Sequence, residues 1–141
     1  MNPLYQDGQL RRKLVEDCIA QTWKLLRNID KLDMNFDYVG IVESRGFIIG
    51  SIIAHELNKS VVLLRSKRWV SEEWGERSRL TGKTHTIKRD VQYGESIVQV
   101  QEGEGKVLIF DDVLASGGTA EDCIDVLWKA GYTPVFALFL V

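Results

Sequence analysis

Two adjacent carboxylates, Asp111 and Asp112, follow the apolar run Val107-Leu108-Ile109-Phe110 and precede a loop of small residues, Ala115-Ser116-Gly117-Gly118-Thr119. The run reads as a fully buried strand, and Thr119 opens a helical pattern. Strand end, acidic pair, glycine loop and helix N-terminus together suit a sugar phosphate. Carboxylates accept from ribose-type hydroxyls, while backbone N–H groups at a helix start hold phosphate oxygens. Either feature alone fits a solvated turn or a tight strand-to-helix connection equally well. Their succession at one strand end favours a ligand.

Two further strand ends carry charge. Glu43-Ser44-Arg45-Gly46 follows the apolar stretch 38–42, and Arg65-Ser66-Lys67-Arg68 follows 61–64. In an open parallel sheet, ligands bind outside the carboxyl ends of the strands. Topology alone would therefore bring an arginine, a basic cluster, an acidic pair and a phosphate cradle to one edge. Such an edge fits a ligand with phosphate at both ends and a diol between. Arg45 on its own terms fits a surface arginine as well.

The elements that must position these residues can be read from periodicity. Residues 9–29 place Leu10, Leu14, Val15, Cys18 and Ile19 on one helical face, with Leu25, Leu26 and Ile29 continuing it. Trp23 is expected to pack. Residues 47–57 form a helix that is apolar almost all round, where Gly50 permits close approach and Asn58 stops the chain. With the strands at 38–42 and 61–64 this makes a parallel βαβ unit. Residues 119–130 form a second crossover helix, with Thr119 and Asp122 as a capping-box-like pair and Gly131 at its end. Residues 135–141 are expected to be a last buried strand. The alternation predicts an α/β fold, an open and mainly parallel twisted sheet with flanking helices.

One segment breaks the pattern. Residues 65–90 hold eight Lys or Arg against four acids, a formal +4, leaving −6 for the rest of the chain. Residues 84–87 and 97–101 look like a polar, exposed, two-stranded excursion, so a flexible basic flap is expected at about 66–105 within a single domain of residues 1–141. A long charged excursion in a compact domain is usually functional or disordered.

Composition excludes several classes. A net charge of −2 argues against a dedicated nucleic-acid binder. Apolar runs are too short for a transmembrane helix, and the N-terminus lacks the layout of a signal peptide. Cys18 and Cys123 are far apart in sequence and read as buried free thiols, consistent with a reducing cytosol. GxGxxG is absent, and so is the P-loop, since Thr119 follows Gly118 and no lysine stands in the loop. His55 and His85 have no metal-like spacing.

At this point the residues resemble a known family. Ile109-Phe110-Asp111-Asp112-Val113-Leu114-Ala115-Ser116-Gly117-Gly118-Thr119 is similar to the phosphoribosyl-pyrophosphate motif of type I phosphoribosyltransferases. Val42-Glu43-Ser44-Arg45-Gly46-Phe47 resembles the pyrophosphate loop of the adenine branch, and Val91-Gln92-Tyr93-Gly94-Glu95 resembles its catalytic-loop stretch. The resemblance implies transfer of a 5-phosphoribosyl group from phosphoribosyl pyrophosphate to a nitrogen base, with adenine favoured, in purine salvage. It implies a cytoplasmic homodimer that uses small-molecule substrates, without nucleic acid or membrane.

The implied roles fall on particular residues. Asp111 and Asp112 hold the ribose hydroxyls and stabilise positive charge at the anomeric carbon. Ala115, Ser116, Gly117, Gly118 and Thr119 bind the 5-phosphate. Ser44, Arg45 and Gly46 bind pyrophosphate, assisted by Arg65 and Lys67. Leu114 touches the base, and Tyr93 belongs to the flap. Mg2+ is held through the substrate rather than by a protein cage, with Asp111 or Asp112 reaching it through water.

Two departures from the family pattern follow. The family's base-reading hood would precede Asn2-Pro3-Leu4 and its usual C-terminal extension would follow Val141, so the resemblance leaves base recognition unaccounted for. Gln92 stands where a glutamate would exchange a proton with the purine, and glutamine can hydrogen-bond there without acting as acid or base. Trp69 and Trp74 read as packing residues of the flap, or, more sharply, as a stacking surface replacing the hood. These departures support an alternative: a regulatory protein that binds phosphoribosyl pyrophosphate or a nucleotide without turnover.

Overall fold

The computed structural model describes residues 6–29, 35–43, 45–66, 83–91, 94–112, 114 and 118–140. These form three helices, α1 (Gly8–Ile29), α2 (Gly46–Glu56) and α3 (Gly118–Ala130), and six strands. The strands are β1 (Tyr38–Val42), β2 (Ser60–Ser66), β3 (Thr84–Val91), β4 (Gly94–Gln101), β5 (Gly105–Asp111) and β6 (Tyr132–Phe139). They make one sheet in the order β3-β4-β2-β1-β5-β6. β2, β1, β5 and β6 are parallel, and the β3–β4 hairpin joins antiparallel through β4. The expected α/β architecture is therefore present.

Two apolar layers sandwich the sheet. On one face α1 and α2 cover Val39 and Ile41 of β1 and Leu108 and Phe110 of β5, with Ile49 and Ile53 at the centre. On the other, α3 contributes Cys123, Val126 and Leu127 against Val42, Leu64 and Ile109. Alternate residues of β1 and β5 thus feed opposite layers, as the two-residue period of a strand requires. Phe110, Ile49, Ile53, Val126 and Leu127 are wholly buried.

Local chemistry sets the element ends. Asp7 caps α1, its Oδ1 accepting from Gln9 N–H at 2.8 Å and Leu10 N–H at 3.1 Å. After α2, Asn58 takes a left-handed φ of 53°, the stop expected of it. Gly50 is required by space: a Cβ there would collide with Ile41 Cγ2 and stand 3.0 Å from Phe110 Cδ1.

Three expectations are corrected. Trp23 is 48% exposed, not packed, because α1 meets the rest of the molecule through Leu14, Val15, Cys18 and Ile19 alone among its described apolar residues. The hairpin is not polar on both sides: Ile97, Val98 and Val100 are buried, because β4 pairs with β2 and α3 packs over it. The final strand begins at Tyr132 and is only partly buried, because it is a sheet edge.

Candidate active site

β1 lies between β2 and β5, so chain connections leave it in opposite directions. This is the switch point at which open α/β sheets leave a crevice beyond their carboxyl ends. Asp111 closes β5 and Asp112 follows it, while Arg45 sits just past β1, ahead of α2. The β1–β5 pairing sets Ile41 beside Phe110 and so brings these ends together.

Arg45 Nε lies 3.0 Å from Asp112 Oδ2, with the carboxylate 9% and the arginine 60% exposed. Asp112 N–H donates to Asp111 Oδ1 at 2.8 Å. Gly46 begins α2 directly against this pair: a Cβ there would meet Asp111 Oδ1 at 3.3 Å and Phe110 O at 3.5 Å. Glu43 N–H donates to Leu64 O at 2.9 Å, which extends the β1–β2 ladder one residue and holds the turn beside β2, where Arg65 is exposed.

Burial pushes the Asp111 carboxyl up to about 6, the neighbouring Asp112 carboxylate adds to this, and the Asp112 N–H and Arg45 oppose it. A carboxylate so placed is costly to ionise without a positive partner. Burial likewise pushes Cys123 up to about 12 and Cys18 up to about 11, so both are inert thiols.

Arg45, Gly46, Asp111 and Asp112 converge. Arg65 stands at the next strand end, and Leu114 is 45% exposed. Gly118 is buried at the start of α3 and Thr119 is exposed. Ser44, Lys67, Gln92, Tyr93, Ala115, Ser116 and Gly117 lie outside the described residues, as do Trp69 and Trp74. His55 is exposed, and His85 Nε2 lies 3.5 Å from Glu102; no metal-holding group of side chains occurs among the described residues. None of the described helices is long and apolar enough to cross a membrane.

Sequence reasoning missed Arg89. Its Nη2 donates to Asp122 Oδ2 at 3.2 Å, and its Nη1 is 3.7 Å from Glu121. Asp122 is 4% exposed; the helix-capping role expected of it gave no reason for that burial, whereas the ion pair does. The signal lay in the two-residue strand period, which puts Arg89 on the same face of β3 as Ile87, and Ile87 packs on the core.

Comparison with known proteins bears on the fold as a whole. No family model matches the chain. The adenine phosphoribosyltransferase of Cereibacter sphaeroides is 39% identical over 113 residues, which are 77% of this chain and 57% of that protein. The enzyme of the same name from Marinomonas is 36% identical over 135 residues, 93% of this chain and 64% of the relative. The chain therefore spans less than two thirds of these relatives. The crystal structure of adenine phosphoribosyltransferase from Rhodothermus marinus superposes with a TM-score of 0.71 at 28% identity, covering 98% of this chain and 70% of that one. The chain is similar in sequence to adenine phosphoribosyltransferases and has the type I phosphoribosyltransferase fold.

Proposed function

We propose that this chain is a phosphoribosyltransferase of the adenine branch, moving a 5-phosphoribosyl group from phosphoribosyl pyrophosphate to adenine and releasing pyrophosphate. The observation that carries the reading is the meeting of Arg45 with the Asp111–Asp112 pair at two adjoining strand ends. Without substrate, Arg45 and Asp112 neutralise each other. With substrate, pyrophosphate is the better partner for the guanidinium, since phosphate oxygens match its fork. Ribose hydroxyls are the corresponding partners for the carboxylates.

The transition state of such a transfer carries positive charge at the anomeric carbon and negative charge on the departing pyrophosphate. Asp111 and Asp112 stabilise the first, while Arg45 and Arg65 stabilise the second, each held by the fold before reaction begins. Backbone N–H groups at the start of α3, with Ala115 to Gly118 and the Thr119 hydroxyl, take the 5-phosphate. The stretch with Gln92 and Tyr93 would close over the centre and exclude water. Leu114, exposed beside the acidic pair, lines the base.

Carboxylate oxygens at a solvent-accessible edge fit Mg2+, which keeps most of its waters and binds through substrate phosphates. When bound, the ion supplies charge neutralisation of the pyrophosphate. Unpaired, buried Cys18 and Cys123 support a reducing cytoplasmic setting. For the homodimer implied by the resemblance, Ile48, Val61 and Leu63 leave apolar surface exposed.

The test is pyrophosphate release from phosphoribosyl pyrophosphate with adenine, hypoxanthine, guanine, uracil or orotate as acceptor. Adenine is expected to give the fastest turnover. The Asp111→Asn, Asp112→Asn double variant should lose roughly 10²-fold or more in rate with an unchanged circular dichroism spectrum. Full activity in that variant would sink the assignment. Donor binding without pyrophosphate release from any base would favour the regulatory alternative.

A further inference from the structure

Arg45 and Asp112 form an ion pair whose two members differ in freedom. Asp112 is held: its N–H donates to Asp111 Oδ1 at 2.8 Å, and its side chain is only 9% exposed. The backbone beside Arg45 is held as well, because α2 begins at Gly46 with no more than van der Waals room against Asp111 Oδ1 and Phe110 O. The guanidinium has no such restraint. It is 60% exposed, so rotation about its side-chain torsions can carry it from Asp112 into solvent with both backbones in place. The carboxylate is the fixed jaw of this pair and the guanidinium the moving one.

Under the proposed reaction these groups serve different halves of the donor, Arg45 the pyrophosphate and Asp112 the ribose hydroxyls. In the structure each is engaged by the other. A pyrophosphate on Arg45 would be brought against a carboxylate 3.0 Å from the same guanidinium, and like charges so close oppose one another. A ribose hydroxyl meeting Asp112 competes with a charge-assisted contact, the stronger kind. Each half of the donor is therefore opposed by one shared contact. That contact is broken once, whichever half arrives first, and the second half then meets a group already released. Two ligands that favour the same open state each bind more tightly in the other's presence.

We propose that the Arg45–Asp112 ion pair is an autoinhibitory latch that couples the two halves of the donor site, so that pyrophosphate and ribose 5-phosphate each strengthen the binding of the other. The latch rests on the donor reading above and adds a regulation to it. The sign of the coupling is opposite to that of simple electrostatics, since two anions bound side by side repel. An intact donor, which releases both jaws at once, is thereby preferred over pyrophosphate alone. When one product leaves, the latch re-forms and loosens the other.

Calorimetric titration of pyrophosphate into the wild type, with and without saturating ribose 5-phosphate at one fixed Mg2+ concentration, tests this. Ribose 5-phosphate should tighten pyrophosphate about fivefold or more, the lower end of ordinary coupling between sites. Asp112→Asn removes the latch. Pyrophosphate alone should then bind about fivefold or more tighter than to the wild type, and added ribose 5-phosphate should change it by less than about twofold. In an Arg45→Gln background, Asp112→Asn should leave pyrophosphate affinity within about twofold. Pyrophosphate affinity that ribose 5-phosphate leaves unchanged or weakens in the wild type overturns the latch and leaves the proposed function standing. Weaker pyrophosphate binding by Asp112→Asn also overturns it, since the carboxylate would then orient the arginine rather than restrain it. So does a tightening that persists without Arg45, which would be the loss of one negative charge and nothing more. A wild type that binds neither ligand removes the proposed function and the latch together. The wild-type comparison decides the matter even if Asp112→Asn does not fold.

Discussion

Asp111 is pulled in two directions by its position. The proposed transfer needs its negative charge, whereas burial raises its pKa to about 6. A carboxyl whose folded pKa lies above its unfolded value binds more protons when folded, so stability falls as pH rises from about 4 to about 6 and is flat beyond. Activity should run the other way. We expect kcat/KM to rise through pH 6 as Asp111 ionises, while the melting temperature declines over the same interval. Asp111→Asn should remove the activity and gain on the order of 1–2 kcal/mol at pH 8, after allowance for the solvent that reaches a half-buried group. Thermal melts from pH 4 to 8 on both proteins check this. A parallel pH dependence of the two melting curves would show that Asp111 is not the titrating group.

At the scale of elements, the βαβ unit from β1 to β2 was legible because its residues carry a single message. The β1 run is apolar, Gly50 stands where two elements must touch, and Asn58 accepts a left-handed φ. Gly50→Ala should therefore destabilise, although alanine is the better helix former by about 1 kcal/mol. The added methyl meets Ile41 and Phe110, and overpacking of this kind costs typically 1–3 kcal/mol. A urea denaturation midpoint below that of the wild type is the expected result. The hairpin was less legible. Charges at Lys88, Arg89 and Asp90 gave it a polar character in sequence, and only the pairing of β4 with β2 shows that Val98 and Val100 belong to the core. Arg89 was hidden in the same way, as one charge in a basic stretch rather than an inward residue. Trp23 erred in the opposite sense: its size suggested packing, but it falls off the face that α1 buries.

For the whole molecule, strand order brings Arg45 and the Asp111–Asp112 pair to one edge of the sheet. The acidic pair and Arg45 are more than sixty residues apart, and each was recognisable by itself. Their ion pair depended on β5 lying beside β1, which sequence pattern implies only through topology rules. The same order buries Cys18 and Cys123 in opposite layers of the sandwich. Neither thiol should react with a disulfide reagent in the native protein, and both should react at one rate under conditions where opening is global. Cys123 reacting ahead of Cys18 would instead indicate that the α3 layer opens separately.

Among the described residues, β3 and β6 are the two edge strands of the sheet. Such edges are templates for pairing with other chains, and charged residues or proline blunt them. Here β3 presents exposed Lys88 and Asp90, and β6 carries Pro134. The residues that make the hairpin look unlike a core strand thus also serve solubility. Arg89 is turned inward to Asp122 and Glu121 at the start of α3 while its neighbours on either side face water and discourage aggregation, so one short charged strand both ties the hairpin to α3 and bars strand addition.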